Sequence, residues 1–114
     1  MKTIEKLFKA LADRNRLRIL KMLEARPLCV CEITYVMGIA QSSVSRHLAI
    51  LRDAGLLEDC KTGQWTIYSL SGVKDDAVAT LITSMRRWGK DDSQIGADRA
   101  KLRAVRKEVL CLKR

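Results

Sequence analysis

The residues best suited to chemistry in this sequence are its cysteines and one polar run. Cys29 and Cys31 stand two apart, just after Pro27 and at the start of a short helical segment. Unpaired backbone N–H groups and the positive helix end favour thiolate over thiol at such a place. Soft thiolates in turn select soft ions. Residues i and i+2 lie on opposite sides of a helix yet on one side of an extended segment, so an ion bridging both sulfurs is expected to compete with the first helical turn. The spacing is not the Cys-x-x-Cys of tetrahedral zinc knuckles, and the single histidine, His47, gives no cluster to complete one. The pair also suits a small buried core, where free cysteine is common. Cys60 and Cys111, taken singly, read as structural, and either becomes a third sulfur only if the fold brings it close.

The polar run is Gln41, Ser42, Ser43, Ser45, Arg46 and His47. At the N-terminal turns of a recognition helix such side chains meet base edges and phosphates. Gln41 suits adenine, and Arg46 suits either bidentate contact with guanine or a phosphate. Lys61 and Gln64 are placed for the neighbouring groove or backbone. An ordinary solvated helix face, with Ser42 or Ser43 as its cap, is the competing reading of the same residues.

These residues need elements to hold them, and the apolar periodicity supplies mostly helices. Ile4, Leu7, Phe8 and Leu11 form one face, and Asp13 offers a cap for a second helix through Leu17, Leu20 and Leu23 that ends by Pro27. Cys31 to Met37 leaves room for about two turns before Gly38. A longer helix from Gln41 to Ala54 follows, with Val44, Leu48 and Leu51 on one face and Gly55 closing it. A short helix, a Gly-containing turn and a longer helix make a helix-turn-helix. Leu56 to Cys60, the turn Lys61-Thr62-Gly63-Gln64, and Trp65 to Leu70 then read as a β-hairpin, the wing. Helical faces return at Val78, Leu81, Ile82, Met85 and Trp88, and again at Leu102, Val105, Val109 and Leu112.

The expected architecture is mainly α with a small hairpin wing, a winged helix-turn-helix dimerising through its terminal helices. Residues 1–90 are expected to form the DNA-binding and dimerisation domain, and 91–114 a helical extension of it. With 114 residues, 47% of them hydrophobic, the chain has room for one modest core, which excludes a two-domain enzyme. Lys and Arg number 22 against 13 Asp and Glu, a formal charge of +9 that suits a polyanion such as nucleic acid. The apolar runs are short and Glu5 interrupts the first, so neither a membrane span nor a signal peptide is expected. A cytoplasmic chain with reduced cysteines follows. Apolar stripes on both the first and the last helices exceed what so small a core covers, which favours a homodimer reading a pseudo-palindrome.

Four stretches together resemble the ArsR/SmtB family over roughly residues 3 to 88. They are Leu28-Cys29-Val30-Cys31-Glu32-Ile33, Gln41-Ser42-Ser43-Val44-Ser45-Arg46-His47-Leu48, Leu51-Arg52-Asp53-Ala54-Gly55-Leu56-Leu57, and Gly63-Gln64-Trp65-Thr66-Ile67-Tyr68-Ser69-Leu70. The resemblance implies a dimeric winged-helix repressor of operator DNA, needing no cofactor to bind DNA and released by a metal or metalloid. The segment around the cysteines is similar to the arsenic-responsive subgroup, which implies trivalent arsenic or antimony as inducer and Cys29 and Cys31 as its ligands. The third cysteine often found in that subgroup is replaced here by Thr34, so a third ligand is absent or comes from Cys60, Cys111 or a small molecule. The interface zinc site of the other branch uses Asp and His, and no His follows Asp75 and Asp76.

Two alternatives keep this fold: a cadmium- or lead-responsive repressor, and a thiol-redox one in which a Cys29–Cys31 bridge disturbs the short helix. An enzyme does not fit, because a catalytic cysteine needs a positioned base or a Cys-x-x-Cys partner, and His47 sits on the DNA-reading face.

Overall fold

The structure, a computed structural model, describes residues 2–71 and 76–105. In chain order it comprises α1 (Lys2–Leu11), α2 (Arg14–Leu23), β1 (Leu28–Cys29), α3 (Val30–Met37), α4 (Gln41–Asp53), β2 (Leu57–Thr62), β3 (Trp65–Leu70), α5 (Asp76–Met85) and α6 (Ser93–Arg103). Cys111, Val109 and Leu112 lie outside the described residues.

Local chemistry sets the helix ends. The Asp13 side chain accepts the N–H of Arg16 at 3.1 Å and starts α2, as its residue type leads one to expect at an N-cap. Gly38 ends α3 at φ 69°, a left-handed conformation that costs a side-chain-bearing residue energy. The turn it opens, Gly38-Ile39-Ala40, delivers the chain into α4 and so completes the helix-turn-helix. Ile19, Ile33, Val44, Leu48 and Leu51 are fully buried where α2, α3 and α4 meet.

The hairpin β2–β3 forms with Gly63 and Gln64 between its strands, Thr62 pairing with Trp65 and Leu57 with Leu70. A third strand was not legible in the sequence. Leu28 and Cys29 pair antiparallel with Tyr68 and Ile67, giving the strand order β1-β3-β2. Two residues carry no periodicity, so only the tertiary pairing reveals β1.

Helix α6 packs on α2 and α3. Arg18 forks onto Asp98 through Nε to Oδ2 and Nη2 to Oδ1, both 2.9 Å, and both side chains are largely buried. Lys21 is buried too, and its ammonium donates to the carbonyls of Met85 at 2.6 Å and Trp88 at 2.8 Å while pairing with Glu24 at 2.9 Å. A cation there satisfies carbonyls left open at the end of α5. Trp88 falls beyond α5 and is exposed, so it does not share the apolar face of Val78 and Met85. Among the described residues no helix is long and apolar enough to cross a membrane.

Candidate functional site

Helix α4 turns Val44, Leu48 and Leu51 into the core. Gln41, Ser42, Ser45 and Arg46 therefore lie exposed on the opposite side, with Ser43 half-buried at its edge. The N-cap is Ala40, which offers no side-chain oxygen to the first turn, so neither Ser42 nor Ser43 is the cap. His47 is half-buried, its Nδ1 3.3 Å from Nη1 of Arg16. A guanidinium only donates, so Nδ1 accepts and Nε2 carries the ring proton. Lys61 and Gln64 are exposed at the tip of the wing.

Cys29 closes β1 and caps α3. Its backbone is extended (φ −91°, ψ 165°), and its N–H donates to Oε1 of Glu32 at 3.0 Å. The Glu32 backbone N–H points back to the Cys29 sulfur, completing a reciprocal capping box. Arg26 holds the other Glu32 oxygen at 2.7 Å. Sequence reasoning passed over Glu32 and Arg26, although Cys29-x-x-Glu32 has the N-cap to N3 spacing that marks such a box.

The thiol itself departs from the sequence expectation. Burial pushes Cys29 up to about 12, and the negative charge of Glu32 adds to the rise, although the N–H of Glu32 works in the opposite direction. At neutral pH Cys29 is thus a thiol. The helix end does aim an N–H at the sulfur, as expected, but removal from water outweighs it. Cys31 is half-buried in the first turn of α3.

A cleft of about 310 Å³ joins these parts. Cys29, Cys31, Gln41, Gln64, Trp65 and Thr66 border it. The two cysteines face the same cleft with α3 intact, because Cys29 lies before the helix and only Cys31 within it. The lining thus comes from the cysteine segment, the first residue of α4 and the base of the wing.

A third sulfur is not at hand among the described residues, where no group of three or more His, Cys, Asp and Glu side chains suits a metal ion. Cys60 is exposed on β2 and pairs with Ile67, the residue that Cys29 meets from the other side. Two strand spacings, about 10 Å, separate them. The cleft is bordered by two of the described cysteines, Cys29 and Cys31, and the third, Cys60, is not among its lining residues.

Three helices packed as a helix-turn-helix with a hairpin beside them define a winged helix-turn-helix, a DNA-binding class of fold. Residues 13–59 match the family model described as bacterial regulatory protein, arsR family. The arsenical resistance operon repressor of Escherichia coli (strain K12) is 50% identical over 66 residues, covering 57% of this chain and 56% of that protein. The arsenical resistance operon repressor of Bacillus subtilis (strain 168) is 39% identical over 84 residues, 73% of this chain and 77% of that one. The homodimeric winged helix-turn-helix DNA-binding domain of a possible ArsR-family regulator from Mycobacterium bovis superposes with a TM-score of 0.66 at 28% identity, covering 75% of this chain and 76% of that domain. The chain belongs to the ArsR family of bacterial regulatory proteins. It spans just over half the length of the Escherichia coli repressor.

Proposed function

We propose that this protein is a homodimeric transcriptional repressor that leaves its operator when trivalent arsenic, or antimony, binds Cys29 and Cys31. The observation that carries the reading is the shared cleft: the cysteines and two DNA-facing residues, Gln41 and Gln64, border one space of about 310 Å³. An ion taken up there draws on the Cys29 sulfur that caps α3, and α3 is packed against α4. Losing that cap shifts the first turn of α3 and with it the start of the reading helix. The coupling is reciprocal, so bound DNA weakens inducer binding by the factor by which inducer weakens DNA binding.

The arsenical repressors among the relatives support the class of inducer. The assigned DNA contacts are Gln41, Ser42, Ser43, Ser45, Arg46, Lys61 and Gln64, with His47 positioned by Arg16 at the edge of that face. The homodimer is supported by Ile4 and Phe8, more than half exposed on α1. A cleft of about 420 Å³ bordered by Ile4, Leu7 and Val78 of α5 adds to the surface open to a second copy.

Fluorescence anisotropy of the reduced protein on DNA from upstream of its own gene, titrated with arsenite, tests the reading. Release of the natural protein but not of Cys29→Ser/Cys31→Ser is the expected result. Release of both, or of neither while DNA binding stays tight, removes the arsenic assignment.

A further inference from the structure

A third cavity, of about 450 Å³, opens between the end of α2, the end of α5 and α6, and it shares no lining residue with the thiol cleft. Arg26, Arg86, Arg99 and Arg103 border it together with Glu24 and Leu102. Four arginines bordering one concavity concentrate positive charge there.

The carboxylates nearby are already engaged. Glu24 is taken by Lys21 at 2.9 Å and by Arg99 at 2.7 Å, and Glu32 by Arg26 at 2.7 Å. Five cations thus meet two carboxylates. Arg86 and Arg103 make no ion pair with any described residue, and the Nε–H of Arg99 is buried without a hydrogen-bond partner. Shielded from solvent, that N–H does not itself line the cavity, so the unpaired charge there belongs to Arg86 and Arg103. Guanidinium forks match the oxygens of phosphate groups two at a time. The volume is in the range of small-molecule sites, roughly 300–1,000 Å³.

We infer that this cavity binds a small free anion carrying phosphate groups, of about the size of a diphosphate, held by Arg86, Arg99 and Arg103. The DNA backbone carries the same chemistry. The free anion is favoured because the cavity is concave and takes no lining residue from α4 or the wing.

Calorimetric titration of inorganic pyrophosphate into the reduced full chain at low ionic strength tests this. One pyrophosphate per chain is expected, bound at least about tenfold more weakly by Arg86→Ala/Arg103→Ala and equally well by Arg46→Ala/Lys61→Ala. Arg86 and Arg103 pair with no other described side chain, so the first variant is expected to unfold at the same urea concentration as the natural protein. Undiminished binding by Arg86→Ala/Arg103→Ala, or binding lost in Arg46→Ala/Lys61→Ala, overturns the site. The salt dependence of binding to an unrelated DNA duplex separates the two phosphate sources. An unchanged slope in Arg86→Ala/Arg103→Ala supports the free anion, and a slope reduced by about two charges assigns these arginines to the DNA backbone and overturns it.

Discussion

Cys29 and Glu32 cap one another: the Cys29 N–H donates to the Glu32 carboxylate at 3.0 Å, and the Glu32 N–H is aimed at the Cys29 sulfur. The sulfur that we propose binds the inducer is therefore also a structural group of the short helix beneath α4. One atom cannot serve fully in both roles, which gives the cleft two competing states.

The capping carboxylate predicts a graded loss of stability. Glu32 is almost fully buried and carries both the Cys29 N–H and Arg26. Glu32→Ala leaves a buried N–H without an acceptor and takes from Arg26 its charged partner, leaving it only the carbonyls of Leu102 and Val105, and a loss of about 2–4 kcal/mol is expected in urea unfolding. Glu32→Gln keeps an oxygen for the N–H and loses only the charge, so it falls between. A loss under about 0.5 kcal/mol in Glu32→Ala is that of an ordinary surface site and contradicts the capping role.

The raised thiol predicts a weakness in alkali. Folded Cys29 keeps its proton up to about pH 12, whereas its ordinary value is 9.0. Between these values the unfolded chain has lost a proton that the folded chain retains, so stability falls as pH rises. The contribution is whole below about pH 9 and lost on approaching about pH 12, with a slope of up to ~1.4 kcal/mol per pH unit. The difference in unfolding free energy between the natural protein and Cys29→Ser, followed across that window, isolates this slope. A constant difference contradicts it.

The helix-turn-helix and the wing were legible in the sequence because Val44, Leu48 and Leu51 repeat at helical spacing, Gly38 and Gly55 punctuate it, and Trp65 to Leu70 is rich in β-formers. The pairing of Leu28 and Cys29 with β3 was not, since a two-residue strand has no pattern of its own. Cys29 was found as a ligand candidate from residue type and spacing, yet its protonation depends on burial by distant residues. Residue type marks Gln41 and Gln64 as DNA contacts, but their common cleft with Cys29 exists only once β1 joins the wing to α3. Arg26 and Arg99 meet across 73 positions of sequence, beyond the reach of any local signal.

The forked pair between α2 and α6 predicts that α6 is integral to the domain. Arg18 and Asp98 are 15% and 5% exposed at their side chains, and two bonds of 2.9 Å join them. Asp98→Ala leaves a guanidinium buried without its partner, and a loss of about 3–5 kcal/mol is expected. Arg18→Met/Asp98→Leu removes both charges and is expected to recover part of it. A double variant as unstable as Asp98→Ala places the loss in packing rather than in the stranded charge.

Protonated Cys29 also separates the candidate inducers by proton balance. Arsenous acid exchanges As–OH for As–S bonds, and each thiol proton leaves with a hydroxyl as water. Cadmium brings no hydroxyl, so the proton held on Cys29 at neutral pH must be released to solvent. Arsenite affinity is therefore expected to stay flat between about pH 6 and 8, while cadmium affinity rises at least about tenfold per pH unit. Calorimetry in two buffers of different ionisation enthalpy counts the protons directly. Proton release on binding arsenite, equal to that on binding cadmium, would contradict the exchange of As–OH for As–S, because that exchange sends each thiol proton into water. Cadmium binding without proton release would mean that Cys29 is already a thiolate, and the reading of its burial would fall.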